Sequence, residues 1–421
     1  MLAHRVICVL IFFALFGEYV IWSLTVEEIS EKLSYHSSIY QPQCRADWAQ
    51  KYIKLHKESL LAPSSAKYLV AVPNLSGLAD RVIGIVSSFM LAMLTNRVFQ
   101  IGPRHPLIPL QSVFNTQHIN WLRPADADWI IEPLKYKAKE MNYNSSVLDE
   151  QRHYAVNTLD NWKLIDKLLT QNLDGILGED AQTTYIVINR GLSIRIFGNK
   201  HYKEHLENTW QLTPETAFGC IVHLLFQPKP EIFLTIPDLF SSVMQLQESN
   251  KKVLLIGIQI RVGDYVFTQD AVEVSSFHAY FDCARQIEEF AMQDGYTEAK
   301  WLVVTDSRSL RRGVVAAYGE KVITSLHTHI EHSAKESSVC TQNCTVSSTG
   351  FEAAAAEWWI LSFSSYHVIS QYSGFGRSAS MVGFKGRSVY TIPHKMMSKT
   401  VTCGKTSVTD FYDLPYEWSG V

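Results

Sequence analysis

The sequence has no strong charge imbalance, no long basic stretch and no internal repeat. Its formal net charge is −3, whereas nucleic-acid-binding domains carry a concentrated basic surface, so a nucleic-acid partner is not indicated. The absence of repeats and low-complexity tracts argues against a structural repeat protein. Hydrophobic residues make up 47% of the 421 residues, which is enough to build the cores of about two or three domains.

Long apolar runs are also scarce, and only the N-terminus approaches the length of a membrane span. An apolar run covers Val6 to Phe16, and after Gly17 and Glu18 the apolar character resumes. The first run alone has the length of a signal peptide, whereas the whole segment reaches the roughly 20 residues of a spanning helix. We expect residues 1–25 to form a signal anchor, with the rest of the chain luminal. A cleaved signal peptide and secretion are the alternative.

Cysteines are few, and six of them follow the apolar segment: Cys44, Cys220, Cys283, Cys340, Cys344 and Cys403. In a luminal chain they predict disulfide bonds, although the sequence alone does not choose the pairing. No second close cysteine pair accompanies Cys340 and Cys344, so a zinc site there is the weaker alternative. The histidines that could complete such a site are His327, His329 and His332.

Three N-glycosylation sequons begin at Asn74, Asn144 and Asn343, and they predict a glycoprotein if the chain is luminal. Asn144 is the best acceptor because it lies in a polar loop.

The sequence lacks an Asp-x-Asp motif at a strand end; the pair Asp126 and Asp128 lies in a loop rich in tryptophan and proline. Since metal-dependent enzymes of another fold class usually carry that motif, no metal is expected.

The order of predicted elements indicates an α/β protein. Short apolar strands alternate with helical segments on both sides of a polar break at residues 249–252. We therefore predict two Rossmann-like domains facing a cleft. The expected organisation is a stem or helical extension over residues 26–66, a first domain over 67–250 and a second domain over 251–421.

The strongest single feature is the apolar run from Val253 to Ile260, which Arg261 and Asp264 follow directly. Such a run predicts a strand buried on both faces of a parallel sheet. In open α/β sheets ligands bind at the carboxyl ends of the strands, and the arginine fork can bind two phosphate oxygens at once. A diphosphate site and an ordinary structural ion pair are both compatible with Arg261.

Three further segments are predicted at the same edges of the two sheets. The loop Gly77 to Arg81 opens a long apolar helix in the first half, and Asp306 ends the strand that begins near Lys300. The segment Ser373 to Ser380 begins another helix with glycines and serines, whose N–H groups could bind a phosphate. Alternatives stay open for each: a solvated Arg81, a helix cap at Asp306 and a plain cap at Ser373.

These segments resemble those of a known family. Gly77-Leu-Ala-Asp-Arg81 with Leu94-Thr-Asn-Arg97 is similar to the G-L-x-[DN]-R…A-L-L-T-N-R segment of the plant xyloglucan-type fucosyltransferases. Gly257-Ile-Gln-Ile-Arg261 is similar to their second motif, related to the H-x-R segment of the wider fucosyltransferase superfamily. The resemblance spans most of residues 68 to 385, and the C-terminal part matches poorly.

The resemblance implies a GT-B-like enzyme that transfers fucose from GDP-fucose to a glycan hydroxyl with inversion, for cell-wall or glycan biosynthesis. No cofactor is implied besides the donor substrate. Arg261 and Asp264 are the catalytic candidates, with Asp306 accepting hydrogens from guanine. The donor-binding candidates are Gly77, Arg81, Gln259, Asp306, Ser373, Gly374, Phe375, Gly376 and Arg377.

Several points stay open at this stage. Asp270 and Glu273 are alternatives to Asp264 as the general base, and Arg190 and Arg195 could contact the donor or the acceptor. A transferase of the same fold that uses another nucleotide sugar is the nearest rival function. A luminal carbohydrate-binding protein without turnover is the rival from a different class. The acceptor and the oligomeric state have no readable signature.

Overall fold

The computed structural model describes residues 24–40, 43–103, 107–123, 146–147, 153–158, 161–188, 190–249, 251–267, 269–328, 330 and 348–416. Within these ranges the chain forms two five-stranded sheets, one in each half, and a separate two-stranded sheet. The predicted α/β class and the parallel sheets are therefore confirmed.

The first half is built on a sheet with the strand order β2-β1-β6-β5-β4, in which only β4 runs antiparallel to its neighbour. Its elements in chain order are α1 (Val26–Tyr40), α2 (Gln50–Leu61), β1 (Tyr68–Ala71), α3 (Leu78–Leu94), β2 (Val98–Ile101), β3 (Phe114–Thr116), β4 (Ser146–Val147), β5 (His153–Asn157), α4 (Trp162–Thr170), α5 (Leu173–Leu177), β6 (Thr183–Val187), α6 (Pro214–Leu225), β7 (Phe226–Pro228) and α7 (Pro237–Glu248). Strands β3 and β7 pair with each other outside the main sheet.

The second half has a fully parallel sheet with the order β10-β9-β8-β11-β12. Counted within this half, that is the 3-2-1-4-5 order of a Rossmann fold, whose ligand crevice lies between the first and fourth strands. The elements are β8 (Val253–Ile260), α8 (His278–Ala291), β9 (Glu298–Thr305), α9 (Arg308–Tyr318), β10 (Val322–Ile323), α10 (Ser348–Leu361), β11 (Tyr366–Ser370), α11 (Gly374–Val382) and β12 (Val389–Ile392).

Strand β8 is the centre of the second sheet. It pairs with β9 along its whole length and with β11 on its other side, and all of its residues after Val253 are buried. Burial on both faces explains why the run contains no alternating polar residues. It also places Arg261, the first residue after the strand, at the crevice between β8 and β11.

The two halves share one hydrophobic core. Helix α11 of the second half packs against α3 and α6 of the first, and α10 packs against the helical turn Pro230–Thr235. The carboxyl ends of β1 and β8 consequently line the same cleft, which is the arrangement that the sequence predicts.

Residues 26–66, predicted as a stem or a helical extension, form two helices that pack as part of the first half. Helices α1 and α2 bring Ile29 and Tyr52 into the shared core. The Tyr52 hydroxyl donates to the Arg97 carbonyl at 2.8 Å and accepts from the Phe99 N–H at 2.9 Å. The polar composition of this segment reflects the outer faces of two amphipathic helices and does not indicate a free spacer.

Two disulfides connect distant parts of the chain. Cys44 is bonded to Cys220, which ties the loop before α2 to α6, and Cys283 is bonded to Cys403, which ties α8 to the C-terminal segment. The prediction of disulfide bonds is confirmed for these four cysteines. Cys340 and Cys344 lie outside the described residues, as do His329 and His332.

Two other predictions concern the surface and the N-terminus. Asn74 is buried, and its Oδ1 accepts the Ser76 hydroxyl at 2.7 Å, so this sequon is not presented to solvent. Asn144, Asn343 and residues 1–23 of the predicted anchor lie outside the described residues. Across the described ranges, none of the helices combines the length and apolar character that a membrane crossing requires.

Gly84 allows α3 to approach the carboxyl end of β6. A Cβ atom at this position would lie 2.0 Å from the Ile188 carbonyl oxygen, which is backbone and has little freedom to move. We therefore expect Gly84→Ala to lower the free energy of unfolding by about 3 kcal/mol, the upper part of the range for overpacking. Urea denaturation would measure the loss. Gly175→Ala is the matched control, because nothing lies within 4 Å of its added Cβ; equal losses in both variants would contradict the close approach.

Candidate functional site

A cavity of about 500 Å³ opens between the two halves, at the carboxyl ends of β1, β8, β9 and β11. Most of the predicted site residues line it, namely Gly77, Gln259, Arg261, Asp264, Asp306, Ser373, Gly374 and Phe375. The sequence therefore predicts the location of the cleft and part of its wall.

Arg261 lies on the second-half wall of this cleft. Its Nη1 pairs with Asp306 and its Nη2 with Asp264, and its backbone N–H donates to the Ser370 hydroxyl at 2.8 Å. The side chain is still 39% exposed. An arginine has five N–H donors, so two carboxylate contacts leave three available to a ligand. The ion pairs orient the guanidinium towards the cleft without closing it.

Asp306 organises the turn that follows β8. Its Oδ1 accepts the Val262 N–H at 2.8 Å, and its Oδ2 accepts the Gly263 N–H at 3.2 Å as well as the Arg261 guanidinium. The cap of α9 is Ser307, whose hydroxyl accepts the Leu310 N–H at 3.0 Å, so the helix-cap alternative for Asp306 is wrong. Asp306 thus fixes the loop that carries Arg261 and Asp264.

The alternative general bases lie away from the cleft. Asp270 accepts the hydroxyls of Ser307 and Ser309 at 2.6 Å each and the Arg308 N–H at 2.6 Å, so it anchors the start of α9. Burial raises the pKa of Asp270, but these hydrogen bonds outweigh it and hold the pKa below its usual value. Glu273 is exposed, and neither residue lines the cavity, whereas Asp264 does. Asp264 is therefore the best placed of the three.

A buried ion pair in the cleft wall was not predicted. The Arg311 Nη1 and Nη2 donate to the two carboxylate oxygens of Glu357 at 2.5 and 2.9 Å, and both side chains are almost fully buried. Arg311 also donates to the Thr305 carbonyl at 3.0 and 2.6 Å. The pair therefore connects α9, α10 and the end of β9, next to Asp306. A carboxylate inside the apolar helix α10 was the available sequence signal.

Arg81 does not line the cleft, contrary to its assignment as a donor-binding residue. It is buried, its Nη1 donates to the Ile108 carbonyl at 2.7 Å, and its guanidinium stacks on the Phe351 ring at 4.4 Å. Burial lowers the pKa of Arg81 to about 10. The solvated alternative is also wrong, since the side chain connects α3 to α10 between the two halves.

The start of α11 is divided between the cleft and the core. Ser373, Gly374 and Phe375 line the cavity, but Arg377 is fully buried and donates from Nη1 to the Gln371 carbonyl. Gly376 does not line the cavity either: a Cβ atom there would lie 2.8 Å from the Gln259 Oε1. The helical turn directs these two later residues inward, so their direct donor-binding roles are not supported by this placement.

Gln259 is the next-to-last residue of β8, and it lines the cleft. It is 4% exposed, and its Oε1 has no hydrogen-bond partner within the described residues. A buried acceptor without a donor costs free energy unless a ligand or water supplies one. This atom is therefore a candidate contact for a bound ligand.

Across the same described ranges, no group of three or more histidine, cysteine, aspartate or glutamate side chains is close enough together to hold a metal ion. Asp126 and Asp128 lie outside those ranges.

This chain is similar to a known family in part of its sequence and to known structures in its fold. Residues 41–159 match the sequence model of the xyloglucan fucosyltransferase family. This match confirms the predicted resemblance for that part of the chain, which carries the Gly77 loop and helix α3. None of the curated protein sequences matches this chain.

The fold is similar to that of Arabidopsis thaliana FUT1, solved as a mutant in complex with GDP. The two share 17% identity and a TM-score of 0.54, over 84% of this chain and 77% of that chain. NodZ alpha-1,6-fucosyltransferase from Bradyrhizobium, soaked with GDP-fucose, shares 14% identity and a TM-score of 0.39 over 75% of this chain and 92% of that one. POFUT1 in complex with GDP shares 11% identity and a TM-score of 0.35 over 77% and 99%. The likeness to FUT1 shows a shared fold.

Proposed function

We propose that this protein is a fucosyltransferase that moves fucose from GDP-fucose to a hydroxyl of a glycan acceptor, with inversion and without a metal. The observation that carries the proposal is Arg261, oriented into an open interlobe cleft at the switch point of a Rossmann sheet. The family match over residues 41–159 and the GDP bound to FUT1 support the choice of donor.

The diphosphate of the donor would lie between Arg261 and the start of α11. The guanidinium supplies a fixed positive charge, and the backbone at Ser373 and Gly374 opens a helix of nine residues whose N-terminus favours anions. In the described structure Asp264 occupies the Nη2 side of Arg261. We propose that the diphosphate takes this place on binding and releases the Asp264 carboxylate towards the acceptor.

The reaction then needs one proton transfer and one displacement. The acceptor oxygen forms a bond to the anomeric carbon of fucose while the bond from that carbon to the β-phosphate oxygen breaks. The electron pair of the broken bond leaves with GDP, whose growing negative charge Arg261 stabilises. Asp264 accepts the proton of the acceptor hydroxyl.

The Arg311–Glu357 pair would act through the protein backbone. By holding the Thr305 carbonyl, it fixes the end of β9, and therefore the Asp306 carboxylate that orients Arg261. Arg311 and Glu357 are in this proposal positioning residues.

We further propose that the protein works in the Golgi lumen, anchored by residues 1–25, with an acceptor half to about residue 250 and a donor half after it. The two disulfides support an oxidising compartment, because disulfides are rare in the cytosol.

A donor assay tests the function directly. The full chain is incubated with GDP-fucose, oligosaccharide acceptors and EDTA, and both GDP release and product mass are measured. We expect acceptor-dependent GDP release and a product heavier by one deoxyhexose. Addition of a hexose from UDP-glucose would indicate another nucleotide sugar, and donor binding without GDP release would indicate a carbohydrate-binding protein. Loss of activity in EDTA would overturn the metal-independent mechanism.

Asp264→Asn tests the assignment of the base. We expect a fall in kcat of about 10²-fold, at the lower end for general-base catalysis, because the amide cannot accept the proton. The KM for GDP-fucose should fall, because the neutral amide gives up Arg261 to the diphosphate more readily than the carboxylate does. Asp270→Asn is the comparison variant, and it should lower thermal stability through the start of α9. If Asp264→Asn retains full turnover, the base lies elsewhere.

A further inference from the structure

Trp162 is an exposed aromatic ring at the carboxyl edge of the first sheet. It is the first residue of α4, 57% exposed, and the Asn161 side chain caps the helix by accepting the Leu164 N–H at 3.0 Å. The Arg190 guanidinium lies 4.9 Å from the centre of the indole ring, and Arg190 itself is only 6% exposed. The ring is thus supported from beneath and presents its outer face to solvent.

A second exposed ring lies beside Arg195, whose helical turn Arg195–Gly198 packs against α4. Tyr416 is 75% exposed, and its ring centre lies 5.9 Å from the Arg195 guanidinium. Arg195 is fixed by two hydrogen bonds to the Gly191 carbonyl, from Nε at 3.1 Å and Nη2 at 2.8 Å. The pKa of Arg195 is lowered, chiefly by burial and also by the charge of Arg190, while Tyr416 opposes the shift. We call Trp162, Arg190, Arg195 and Tyr416 the aromatic platform.

The aromatic platform and the donor loop share one scaffold. Strand β6 separates β1, which ends at the Gly77 loop, from β5, which ends before Trp162. With strands about 5 Å apart, the carboxyl ends of β1 and β5 therefore lie about 10 Å apart, and the donor loop and the platform follow them at the same sheet edge. Helix α3 begins at the Gly77 loop, and its Ser87 hydroxyl donates to the Arg190 carbonyl at 3.0 Å and accepts the Leu192 N–H at 3.0 Å.

Each ring has an arginine guanidinium beside it and an exposed face that a ligand could cover, and an aromatic side chain gains free energy when such a face is buried. A flat, exposed ring suits the C–H face of a pyranose, with hydroxyls around the rim bonded to water and polar groups. The positive charge of the two arginines excludes a cationic ligand.

We propose that the aromatic platform binds the glycan acceptor, with one sugar ring stacked on Trp162 and another part of a neutral oligosaccharide against Tyr416. This inference rests on the proposed function, and it deepens that function by naming where the acceptor lies. The acceptor would extend from the interlobe cleft along the carboxyl edge of the first sheet.

Steady-state kinetics of the full chain test the platform. The probe is the neutral oligosaccharide that gives the highest acceptor-dependent GDP release in a panel that includes xyloglucan fragments. Trp162→Ala should raise the acceptor KM about tenfold, and Trp162→Phe should recover most of that loss because it keeps a ring. Tyr416→Ala should also raise the acceptor KM. The KM for GDP-fucose should stay within about twofold in all three variants.

Tyr412→Ala is the matched control. Tyr412 is also an exposed tyrosine beside an arginine, and the Arg387 guanidinium lies 5.9 Å from its ring. Arg387 precedes β12, so this pair lies at the amino edge of the second sheet and not at a carboxyl edge. The variant should leave both KM values unchanged. An unchanged acceptor KM in Trp162→Ala and Tyr416→Ala, or an equal rise in Tyr412→Ala, would overturn the inference. Absence of GDP-fucose turnover by the unmodified chain would instead overturn the proposed function.

Discussion

Arg261→Ala is expected to lower kcat with GDP-fucose by about 10²–10³-fold. The size follows from the loss of a fixed positive charge at the point where negative charge develops on the leaving diphosphate. The variant should keep its fold, because the side chain is partly exposed and Asp306 retains its hydrogen bonds from Val262 and Gly263. Single-turnover GDP release, measured alongside circular dichroism, would separate the two effects.

Two further substitutions make this test specific. Arg261→Lys keeps the charge but loses the planar fork, so it should recover only part of the activity. Arg285→Ala removes an arginine that also pairs with an aspartate three residues away, Asp282, but lies on the outer surface of α8. It should have no effect on turnover. Near-normal turnover of Arg261→Ala would show that this guanidinium does not stabilise the leaving group.

Glu357→Gln is expected to lower the free energy of unfolding by about 3–5 kcal/mol, the range for removing one partner of a buried ion pair. The cause is that Arg311 would remain charged in the interior with only carbonyl acceptors and the new amide around it. The measurement is the shift of the urea unfolding midpoint. Glu352→Gln on the same helix is the control, since Glu352 makes no ion pair within the described part of the chain.

A double substitution separates stability from positioning. Arg311→Met with Glu357→Leu replaces the pair by apolar side chains, and such replacements are often neutral for stability. We expect the unfolding midpoint to recover while kcat falls below that of the unmodified chain, because the Thr305 carbonyl loses its anchor beside Asp306. A double variant that recovers both properties would show that the pair has no role in orienting Arg261.

The sequence predicts the cleft because its signals are local. The apolar run of β8 is buried on both faces, and a buried parallel strand places its next residue, Arg261, at the ligand edge of the sheet. The loop before α3 and the start of α11 also follow strand ends, and their glycines mark them in the local sequence. Periodicity and strand length were sufficient to place these segments.

The remaining features depend on contacts between segments distant in sequence. Arg311 and Glu357 are 46 residues apart, and no local pattern shows that they meet. Helices α1 and α2 have mixed faces that resemble a polar stem until the core that covers Tyr52 is known. Strand β12 has only four residues, so its pairing with β11 is not visible in the C-terminal sequence.

The absence of three donor-binding candidates from the cleft wall has a similar cause. Arg81 and Arg377 belong to motif segments, but a helix directs successive side chains about 100° apart, so membership of a segment does not fix the direction of a side chain. Arg81 is buried against Phe351 of the other half, whereas Arg377 is buried within its own half and donates to the Gln371 carbonyl. Gly376 is required for the close packing of α11 against Gln259.

Hydrogen–deuterium exchange of the full chain with and without saturating GDP tests the central claim most directly, that the nucleotide diphosphate binds between the two halves against Arg261. The account predicts slower exchange at the turn after β8, at residues 304–306 and at the start of α11, with a smaller effect at the Gly77 loop. It also predicts that Arg261→Ala weakens this protection. Protection confined to other segments, or none at all at saturating GDP, would contradict it.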